Sequence, residues 1–287
     1  MSKIAIVIDS TANLPKAVLE RYPIFVTPLQ LIWGEKTFQD GVDIHPKEFY
    51  ERLAVDSVSP TTSQPSPAVF KDLYSRLLNE GHEILSIHIS HKLSGTMDSA
   101  IQAKAMLADA PIEIFDTLNT SMAMGFQVMA AARAAREGAT IAECVAVLTK
   151  ARQNSGVFFA VDTLEYLRRG GRIGGAAAFL GNVMDLKPIL TVDDGVIEAA
   201  DRVRTLSKAT QRVIGIVDEK IQNIRNNGDL HIAVLHANAE QNANKLLESA
   251  KEHFGVQKGL IGDVSPVIGT HVGPGTVGLA YLADVEI

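Results

Sequence analysis

Residues 83–100 read EILSIHISHKLSGTMDSA, and this stretch decides the fold class. Its first part, residues 84–89, is an apolar run with β-branched side chains, which predicts a buried strand. A polar loop at residues 90–96 follows, and from residue 97 onward apolar residues recur at the spacing of a helix. Strand, polar loop and helix in this order are typical of open α/β sheets, in which ligands bind beyond the carboxyl ends of the strands.

The polar loop is also a candidate anion site. The start of a helix carries free backbone N–H groups and a partial positive charge, and both favour an anion. Ser94 and Thr96 add hydroxyl groups that can donate hydrogen bonds to the same anion. The stretch alone leaves a second interpretation open, in which Ser94 or Thr96 only caps the helix.

Strand-like runs and helical segments alternate along the rest of the chain, which predicts a doubly wound parallel sheet. The apolar run at residues 157–161 opens a second unit, in which Asp193-Asp194-Gly195 predicts the turn of a hairpin. We therefore expect an α/β protein of two domains, residues 1–156 and 157–287, each a mostly parallel or mixed sheet flanked by helices. Three stretches rich in polar, proline or glycine residues are predicted to be irregular, namely 36–42, 57–68 and 266–278.

Composition narrows the class of protein. Of the 287 residues, 46% are apolar, which is enough for a real core, and the net charge is −6. Because nucleic-acid binding needs a basic face, we expect no nucleic-acid partner. No signal peptide opens the chain, and the most apolar stretch, residues 173–184, is too short to span a membrane. We expect a cytoplasmic protein without a transmembrane segment; a transient contact with a membrane surface is compatible with this.

Several well-known site motifs are missing. The sequence has no Walker-type phosphate loop, no dinucleotide fingerprint after a strand, no H-E-x-x-H and no cluster of cysteine and histidine, so no metal and no cofactor are expected. The G-x-S-x-G motif of hydrolases is also absent. Ser94 together with His271 keeps an acyl hydrolase as one alternative, although no orienting acid stands out.

Basic residues support a second alternative. Arg168, Arg169 and Arg172 lie on a glycine-rich segment, and Arg202 and Arg204 form another basic patch a short way along the chain. In an acidic protein, two local basic patches favour a phosphate ligand or an acidic partner surface. An enzyme that binds a phosphate-bearing ligand is therefore the other alternative.

Hydroxyl groups follow several of the predicted strands, and one histidine lies among glycines. Small neutral hydrogen-bonding groups bind a carboxylate or phosphate without the cost of burying lysines. His271, in the run Gly269-Thr270-His271-Val272-Gly273, can donate a hydrogen bond or carry a charge. The hydroxyl-bearing segments are Ser10-Thr11, Thr61-Thr62-Ser63, Ser94 to Thr96 and Thr120-Ser121.

Taken together, these segments resemble the DegV family of bacterial fatty-acid-binding proteins. The resemblance extends over nearly the whole chain and keeps the family's order of motifs. The residues that carry it are 9–15 (DSTANLP), 62–67 (TSQPSP), 89–96 (ISHKLSGT), 116–117 (DT), 170–173 (GGRI), 187–189 (KPI) and 271–275 (HVGPG).

The resemblance implies a fold, a ligand and a site. The fold would consist of two α/β domains with one long-chain fatty acid between them, its tail buried and its carboxylate held by hydroxyl groups. Thr62, with Ser63, and Ser94 would hold the carboxylate, and His271 would complete the network. Gly95 and Thr96 would supply backbone N–H groups.

The resemblance also implies a partner. In better-understood members of the family, the protein is a carrier without activity of its own, and it presents the fatty acid to a separate ATP-dependent fatty acid kinase. That kinase makes an acyl phosphate for phospholipid synthesis. Arg172 matches the family's arginine implicated in this partnership, and Arg204 is a second candidate.

Two departures from the family's pattern and the site of the acyl tail complete the comparison with the family. His91 stands where family members often have serine or glycine, and Thr120-Ser121 lies in a variable loop. A buried tail of about sixteen carbons, at roughly 0.8 kcal/mol per methylene, would drive binding. Residues 173–190, rich in small and apolar side chains, are candidates to line the tail tunnel, with ordinary helix packing as the alternative.

Overall fold

The structure is a computed structural model that describes residues 3–180, 186–222, 224 and 228–287. Within these ranges, strands and helices alternate as the sequence predicts. The strands are β1 (Lys3–Asp9), β2 (Ile24–Thr27), β3 (Gln30–Trp33), β4 (Lys36–Gln39), β5 (Thr61–Ser63), β6 (His82–His88), β7 (Ile112–Asp116), β8 (Ser155–Ala160), β9 (Lys187–Asp193), β10 (Val196–Val203), β11 (Leu230–His236), β12 (Leu260–Asp263) and β13 (Val277–Ala283). The α-helices are α1 (Lys16–Arg21), α2 (Pro46–Leu53), α3 (Pro67–Asn79), α4 (Thr96–Ala105), α5 (Ser121–Arg136), α6 (Ile141–Gln153), α7 (Glu165–Arg169), α8 (Leu206–Gln222), α9 (Glu240–Phe254) and α10 (Pro266–Val272).

A four-stranded parallel sheet contains β6, the strand predicted within residues 83–100. Its strand order is β2-β1-β6-β7, and all three pairs are parallel. The chain winds outward from β1 in one direction and from β6 in the other, so the order reverses between these two strands. Ligand sites of open α/β sheets form at such a reversal, beyond the carboxyl ends of the strands. The predicted strand, loop and helix at residues 83–100 are confirmed.

A six-stranded mixed sheet forms in the second half of the chain, with the order β10-β9-β8-β13-β11-β12. Only β11 and β12 run parallel; the other four pairs are antiparallel. The predicted hairpin is present as β9 and β10, joined through Asp194 and Gly195 at positive φ. The α/β class with parallel and mixed sheets flanked by helices is therefore confirmed.

A small antiparallel sheet, β4-β3-β5, corrects two predictions of irregular structure. Residues 36–42 contain β4, and residues 57–68 contain β5 and the start of α3. The polar, threonine-rich composition of β5 resembles that of a loop, and only its pairing with β3 makes it a strand. Gly34, at a φ of 62°, allows the two-residue turn between β3 and β4.

Helix α10 corrects the third such prediction, since residues 266–278 begin with a helix and end in β13. Ser265 is the N-cap residue and accepts a hydrogen bond from the backbone N–H of Ile268. Pro266 occupies the first turn, and Gly273, at a φ of 74°, follows the last helical residue. Serine cap, proline start and glycine end are ordinary helix signals, and they outweigh the loop-like composition.

Helix α5 is shared by both large sheets. Met122, Phe126 and Ala130 belong to a core cluster that contains strands of the six-stranded sheet. Met124 and Val128, on the opposite side, belong to the core of the four-stranded sheet. A helix that is apolar all round is a buried helix. It packs between the two sheets and brings them together.

The division into residues 1–156 and 157–287 stays a prediction. Strand β8 begins at Ser155, two residues before the predicted boundary, and α5 packs on strands of both halves. None of the helices in the described part of the chain is both long enough and apolar enough to cross a membrane.

Gly125 tests the close packing of α5. A Cβ atom there would lie 2.7 Å from the carbonyl oxygen of Ala12 and 2.9 Å from the sulfur of Met122. We expect Gly125→Ala to lower the free energy of unfolding by about 1–3 kcal/mol, because the packed backbone of Ala12 cannot move aside. The measurement is urea denaturation.

The matched control for that test is Gly215→Ala in α8, where a Cβ would meet only the guanidinium of Arg212, at 3.8 Å. We expect Gly215→Ala to raise the free energy of unfolding by about 0.5–1 kcal/mol, because alanine has the higher helix propensity. If Gly125→Ala raised the free energy of unfolding as much as Gly215→Ala does, the close packing of α5 against Ala12 would be contradicted.

Candidate functional site

Asp9 fixes the loops at the point where the strand order reverses. Its carboxylate is fully buried and accepts hydrogen bonds from the backbone N–H of Thr11, at 3.0 Å, and of Ile89, at 2.9 Å. The Thr11 hydroxyl donates to the same carboxylate, and Nδ1 of His88 lies 3.1 Å from it. The loops that follow β1 and β6 are therefore tied to one carboxylate.

A cavity of about 600 Å³ of empty space, part of it open to solvent, lies beyond these loops. We call it the polar cavity because hydroxyl, imidazole and guanidinium groups line it beside aliphatic side chains. Four of the predicted ligand-binding residues line it: Thr62, Ser63, Ser94 and His271. They come from β5, from the loop after β6 and from α10, so distant parts of the chain meet there. The other lining residues are Thr11, Leu29, Gln64, Ile89, Leu93, Thr120, Leu167, Arg172, Ile197, Val267, Ile268 and Val272.

Thr62 and His271 are hydrogen-bonded, with 2.8 Å between the threonine hydroxyl and Nε2 of the imidazole. Burial, and then the positive charge of Arg172, lower the pKa of His271 to about 4. The ring is therefore neutral at pH 7 and offers one donor and one acceptor. Its Nδ1 has no partner among the described residues and packs against the α-carbon of Gly170.

Ser94 faces the polar cavity, whereas Gly95 and Thr96 do not line it. The hydroxyl oxygens of Ser94 and Thr96 are 2.8 Å apart, and Thr96 is fully buried. The N-cap position of α4 is Gly95, which has no side chain to cap the helix, and the Ser94 hydroxyl accepts from the Thr96 N–H at 3.3 Å. Gly95 lies against the side chain of Gln64, and a Cβ at Gly95 would make a tight contact of 3.0 Å with the Gln64 amide nitrogen.

The second half of the chain holds the loop that carries Ser94. Ser90 donates to the carbonyl oxygen of Gly195 at 2.8 Å, and the Lys92 ammonium contacts both the carbonyl and the carboxylate of Asp194. The position of Ser94 is therefore set partly by the turn between β9 and β10.

Arg172 lines the polar cavity, whereas the sequence predicts for it a contact with a partner or, as part of a basic cluster, with a phosphate ligand. Its Nε donates to the carbonyl oxygen of Leu93 at 3.0 Å, and its Nη1 donates to that of Gly170 at 2.7 Å. The guanidinium lines the polar cavity and brings a positive charge beside His271. Arg204, by contrast, is exposed between β10 and α8. The contacts of both arginines with a partner stay predictions.

The geometry does not favour the two alternative functions. Ser94 bonds to Thr96 and His271 bonds to Thr62, so the two groups do not form the serine–histidine pair that a hydrolase needs. Arg168 and Arg169 both pair with the single carboxylate of Glu165, and neither arginine lines the polar cavity, so the cluster that suggested a phosphate ligand does not converge on it. In the described ranges, no group of three or more His, Cys, Asp or Glu side chains is arranged to hold a metal ion.

An apolar cavity of about 450 Å³ of empty space adjoins the polar one. It lies between one face of the six-stranded sheet, α10 and the start of α5, and it shares Thr120, Ile197, Ile268 and Val272 with the polar cavity. No described residue of 173–190 lines either cavity, and residues 181–185 lie outside the described part of the chain. The other lining residues are Ser121, Val157, Phe159, Val192, Leu235, Val264, Thr276 and Gly278.

The buried carboxyl of Asp40, which follows β4, lies against the start of α10. Asp40 accepts from the Ser10 hydroxyl at 2.7 Å and from the backbone N–H of Val267 at 3.2 Å. Burial raises the pKa of Asp40 to about 6, although hydrogen bonds from Ser10, Ser265 and Val267 act in the opposite direction. Asp40 and His271 therefore stand near opposite ends of the same helix with pKa values displaced in opposite directions.

Comparison with protein families gives one match over nearly the whole chain. The family described as "Uncharacterised protein, DegV family" matches residues 3–284. Among curated proteins, a DegV domain-containing protein of Streptomyces coelicolor is 39% identical over 280 residues, which are 96% of this chain and 97% of that protein.

Solved structures give the same result. A structure described as fatty acid binding of a DegV family protein from Thermus thermophilus is 34% identical, with a TM-score of 0.91 over 98% of this chain and 99% of that one. A stearic-acid-binding protein from Eubacterium ventriosum is 25% identical, with a TM-score of 0.90 over 99% of this chain and 98% of that one.

Gly195 tests how the Ser94 loop is held. A Cβ at Gly195 would lie 2.4 Å from the Ser90 hydroxyl oxygen, whereas a Cβ at Gly34 would meet nothing within 4 Å. Both glycines are in hairpin turns at positive φ, so an alanine costs about 1–2 kcal/mol of backbone strain at either. We expect Gly195→Ala to speed hydrogen–deuterium exchange in residues 90–94, and Gly34→Ala to leave it unchanged. Unchanged exchange in both variants would show that the turn between β9 and β10 does not hold the loop at residues 90–94.

The two displaced pKa values predict opposite responses to acid. Between pH 6.5 and about 4, the unfolded chain protonates His271 and the folded chain does not, so a fall in pH lowers the free energy of unfolding. Between about pH 6 and 4, the folded chain keeps Asp40 protonated while the unfolded chain ionises it, so the same fall raises that free energy. Each displacement corresponds to about 3 kcal/mol, and the two effects nearly cancel.

Substitution separates the two contributions. On going from pH 7.5 to pH 4.5, we expect His271→Gln to gain stability relative to the parent protein, because the acid-sensitive contribution is removed. Asp40→Asn should lose stability relative to the parent over the same range. Urea denaturation at both pH values measures the free energy of unfolding of each variant. A change of the same sign in both variants, relative to the parent, would contradict the opposite displacements of the two pKa values.

Proposed function

The chain belongs to the DegV family, and from that premise we propose that it binds one long-chain fatty acid across the two adjoining cavities. The observation that supports the proposal is their adjacency: a cavity with hydroxyl groups and an imidazole in its lining shares four lining residues with an apolar cavity. A fatty acid has the same sequence of polar head and apolar tail.

The carboxylate would lie in the polar cavity. Thr62, Ser63 and Ser94 would supply hydroxyl donors. Neutral His271, with its proton on Nε2, would donate to the Thr62 hydroxyl oxygen and so leave the Thr62 O–H free for the carboxylate. Hydrogen bonds to an ionised acceptor are about twice as strong as neutral ones. Gly95 and Thr96, at the start of α4, would add the favourable end of a helix dipole behind Ser94.

The acyl chain would lie in the apolar cavity, against the six-stranded sheet. At roughly 0.8 kcal/mol for each buried methylene, the tail supplies most of the binding free energy. The polar groups then fix orientation, as expected of a mostly apolar site with a few polar contacts. The length and unsaturation of the acyl chain follow from the shape of that cavity.

The protein would act as a carrier rather than an enzyme. It would present the bound carboxylate to a separate ATP-dependent fatty acid kinase, which forms an acyl phosphate for phospholipid synthesis. Arg204, being exposed, and Arg172, at the polar cavity, are the proposed contacts with this kinase. Because the kinase needs ATP, a cytoplasmic location is part of the proposal. No cofactor is required for this role.

Native mass spectrometry of the purified protein, incubated with palmitic acid, tests the proposal. We expect one bound fatty acid per chain. Thr62→Val and Ser94→Ala should each weaken binding about tenfold, and the double variant about a hundredfold, because each removes a hydrogen bond to a charged group worth about 1.5–3 kcal/mol.

Thr61→Val is the matched control, because Thr61 is the exposed neighbour of Thr62 on β5 and does not line the cavity. Its binding should equal that of the parent protein. A parent protein that takes up no fatty acid would refute the function, and full binding by the double variant would refute the head-group assignment.

A further inference from the structure

Two buried hydroxyl groups at the start of α5 have no hydrogen-bond partner among the described residues. They are Oγ1 of Thr120 and Oγ of Ser121, and the Ser121 residue is only 6% exposed. Thr120 is the N-cap residue of α5, yet its side chain makes no cap hydrogen bond. A buried polar group without a partner is uncommon in folded proteins and needs an explanation.

Both hydroxyl groups belong to residues that line the proposed binding site. Thr120 lines the polar and the apolar cavity, and Ser121 lines the apolar one. The remaining lining of the apolar cavity is almost entirely aliphatic or aromatic. Its other hydroxyl, on Thr276, already donates to the carbonyl oxygens of Val272 and Gly273. Thr120 and Ser121 are therefore an unpaired polar position where the cavities join.

The backbone that carries these hydroxyls is held in place. The Thr117 hydroxyl donates to the carbonyl oxygen of His88 at 2.7 Å, and the Asn119 side chain accepts from the N–H of Thr120 at 3.1 Å. The N–H of Ser90 donates to the carbonyl oxygen of Asn119 at 2.9 Å. The backbone at Thr120 and Ser121 is therefore held in place beside the two cavities.

We propose that the site selects a fatty acid whose chain bears a hydroxyl group near its carboxylate end, and that Thr120 and Ser121 bind this hydroxyl. A ligand hydroxyl both donates and accepts, so it can satisfy two protein hydroxyls at once. An unsubstituted chain would cover the same two groups with methylenes and leave them unpaired, which is costly. The position follows from Thr120, which lines both cavities where a chain passes from head to tail.

This inference rests on the proposed function and deepens it by naming the ligand class. The test is competition in native mass spectrometry between palmitic acid and 2-hydroxy-, 3-hydroxy- or 16-hydroxypalmitic acid. We expect the 2- or the 3-hydroxy acid to bind about tenfold more tightly than palmitic acid, which corresponds to about 1.4 kcal/mol. The 16-hydroxy acid should bind more weakly than palmitic acid, because its hydroxyl enters the apolar cavity.

The variant Thr120→Val/Ser121→Ala should lose the preference, so that the 2- and 3-hydroxy acids no longer displace palmitic acid more readily than palmitic acid displaces them. Thr276→Val is the matched control: it removes a hydroxyl from the same cavity, but one already paired within the protein, so the preference should persist. Because the readout is a ratio of two ligands, partial loss of stability does not affect it.

The outcomes separate the two proposals. If palmitic acid does not bind at all, the proposed function fails. If palmitic acid binds and neither hydroxy acid is preferred, or if the preference survives in Thr120→Val/Ser121→Ala, the inference about the hydroxyl fails, and solvent or the carboxylate itself satisfies the two groups.

Discussion

The burial of α5 on two opposite faces is the constraint on which the arrangement of the site depends. Met122 and Phe126 pack toward the six-stranded sheet, and Met124 and Val128 pack toward the four-stranded one. Protein interiors are packed as densely as organic crystals, so a helix shared by two cores cannot shift toward one sheet without opening space beside the other. The first turn of α5 is therefore fixed relative to both sheets. The polar and apolar cavities meet at that turn, at Thr120, which explains how one site can draw its lining from residues far apart in the chain.

The polar cavity differs from that junction in how its groups are satisfied. Thr62 pairs with His271 and Ser94 pairs with Thr96, so each group already has a partner within the protein. Hydroxyl groups can donate one hydrogen bond while accepting others, so these pairs keep capacity for an anion without reorganising the backbone. Around them, Asp9 ties the loops after β1 and β6 together at the reversal of strand order. The proposed head-group site is thus preorganised by contacts that lie outside it.

The sequence predicts the parts of this arrangement that local pattern controls. The strand, loop and helix at residues 83–100 follow from periodicity, and the hydroxyl-bearing loops after strands are visible in the same way. Non-local contacts control the rest. Strand β5 is a strand only because it pairs with β3, and Arg172 enters the cavity only because carbonyl oxygens of Leu93 and Gly170 hold it there. Helix α10 was predictable, since a serine cap, a proline in the first turn and a terminal glycine all appear in the sequence; the number of glycines in residues 266–278 misled the prediction.

The electrostatics of the polar cavity agree with the proposed carrier role, in which the carboxylate of the bound fatty acid would be phosphorylated. Among the described residues that line this cavity, Arg172 is the one permanent cation, and its guanidinium is already engaged by two carbonyl oxygens. His271 is held neutral by burial and by that same arginine. A carboxylate bound by neutral donors is oriented but keeps most of its negative charge, whereas one paired with a buried lysine or arginine would be bound more tightly and would be a weaker nucleophile. Under the proposed function, the buried tail would supply the affinity, so the head-group site could remain weak and the carboxylate oxygen that would accept a phosphoryl group would stay reactive.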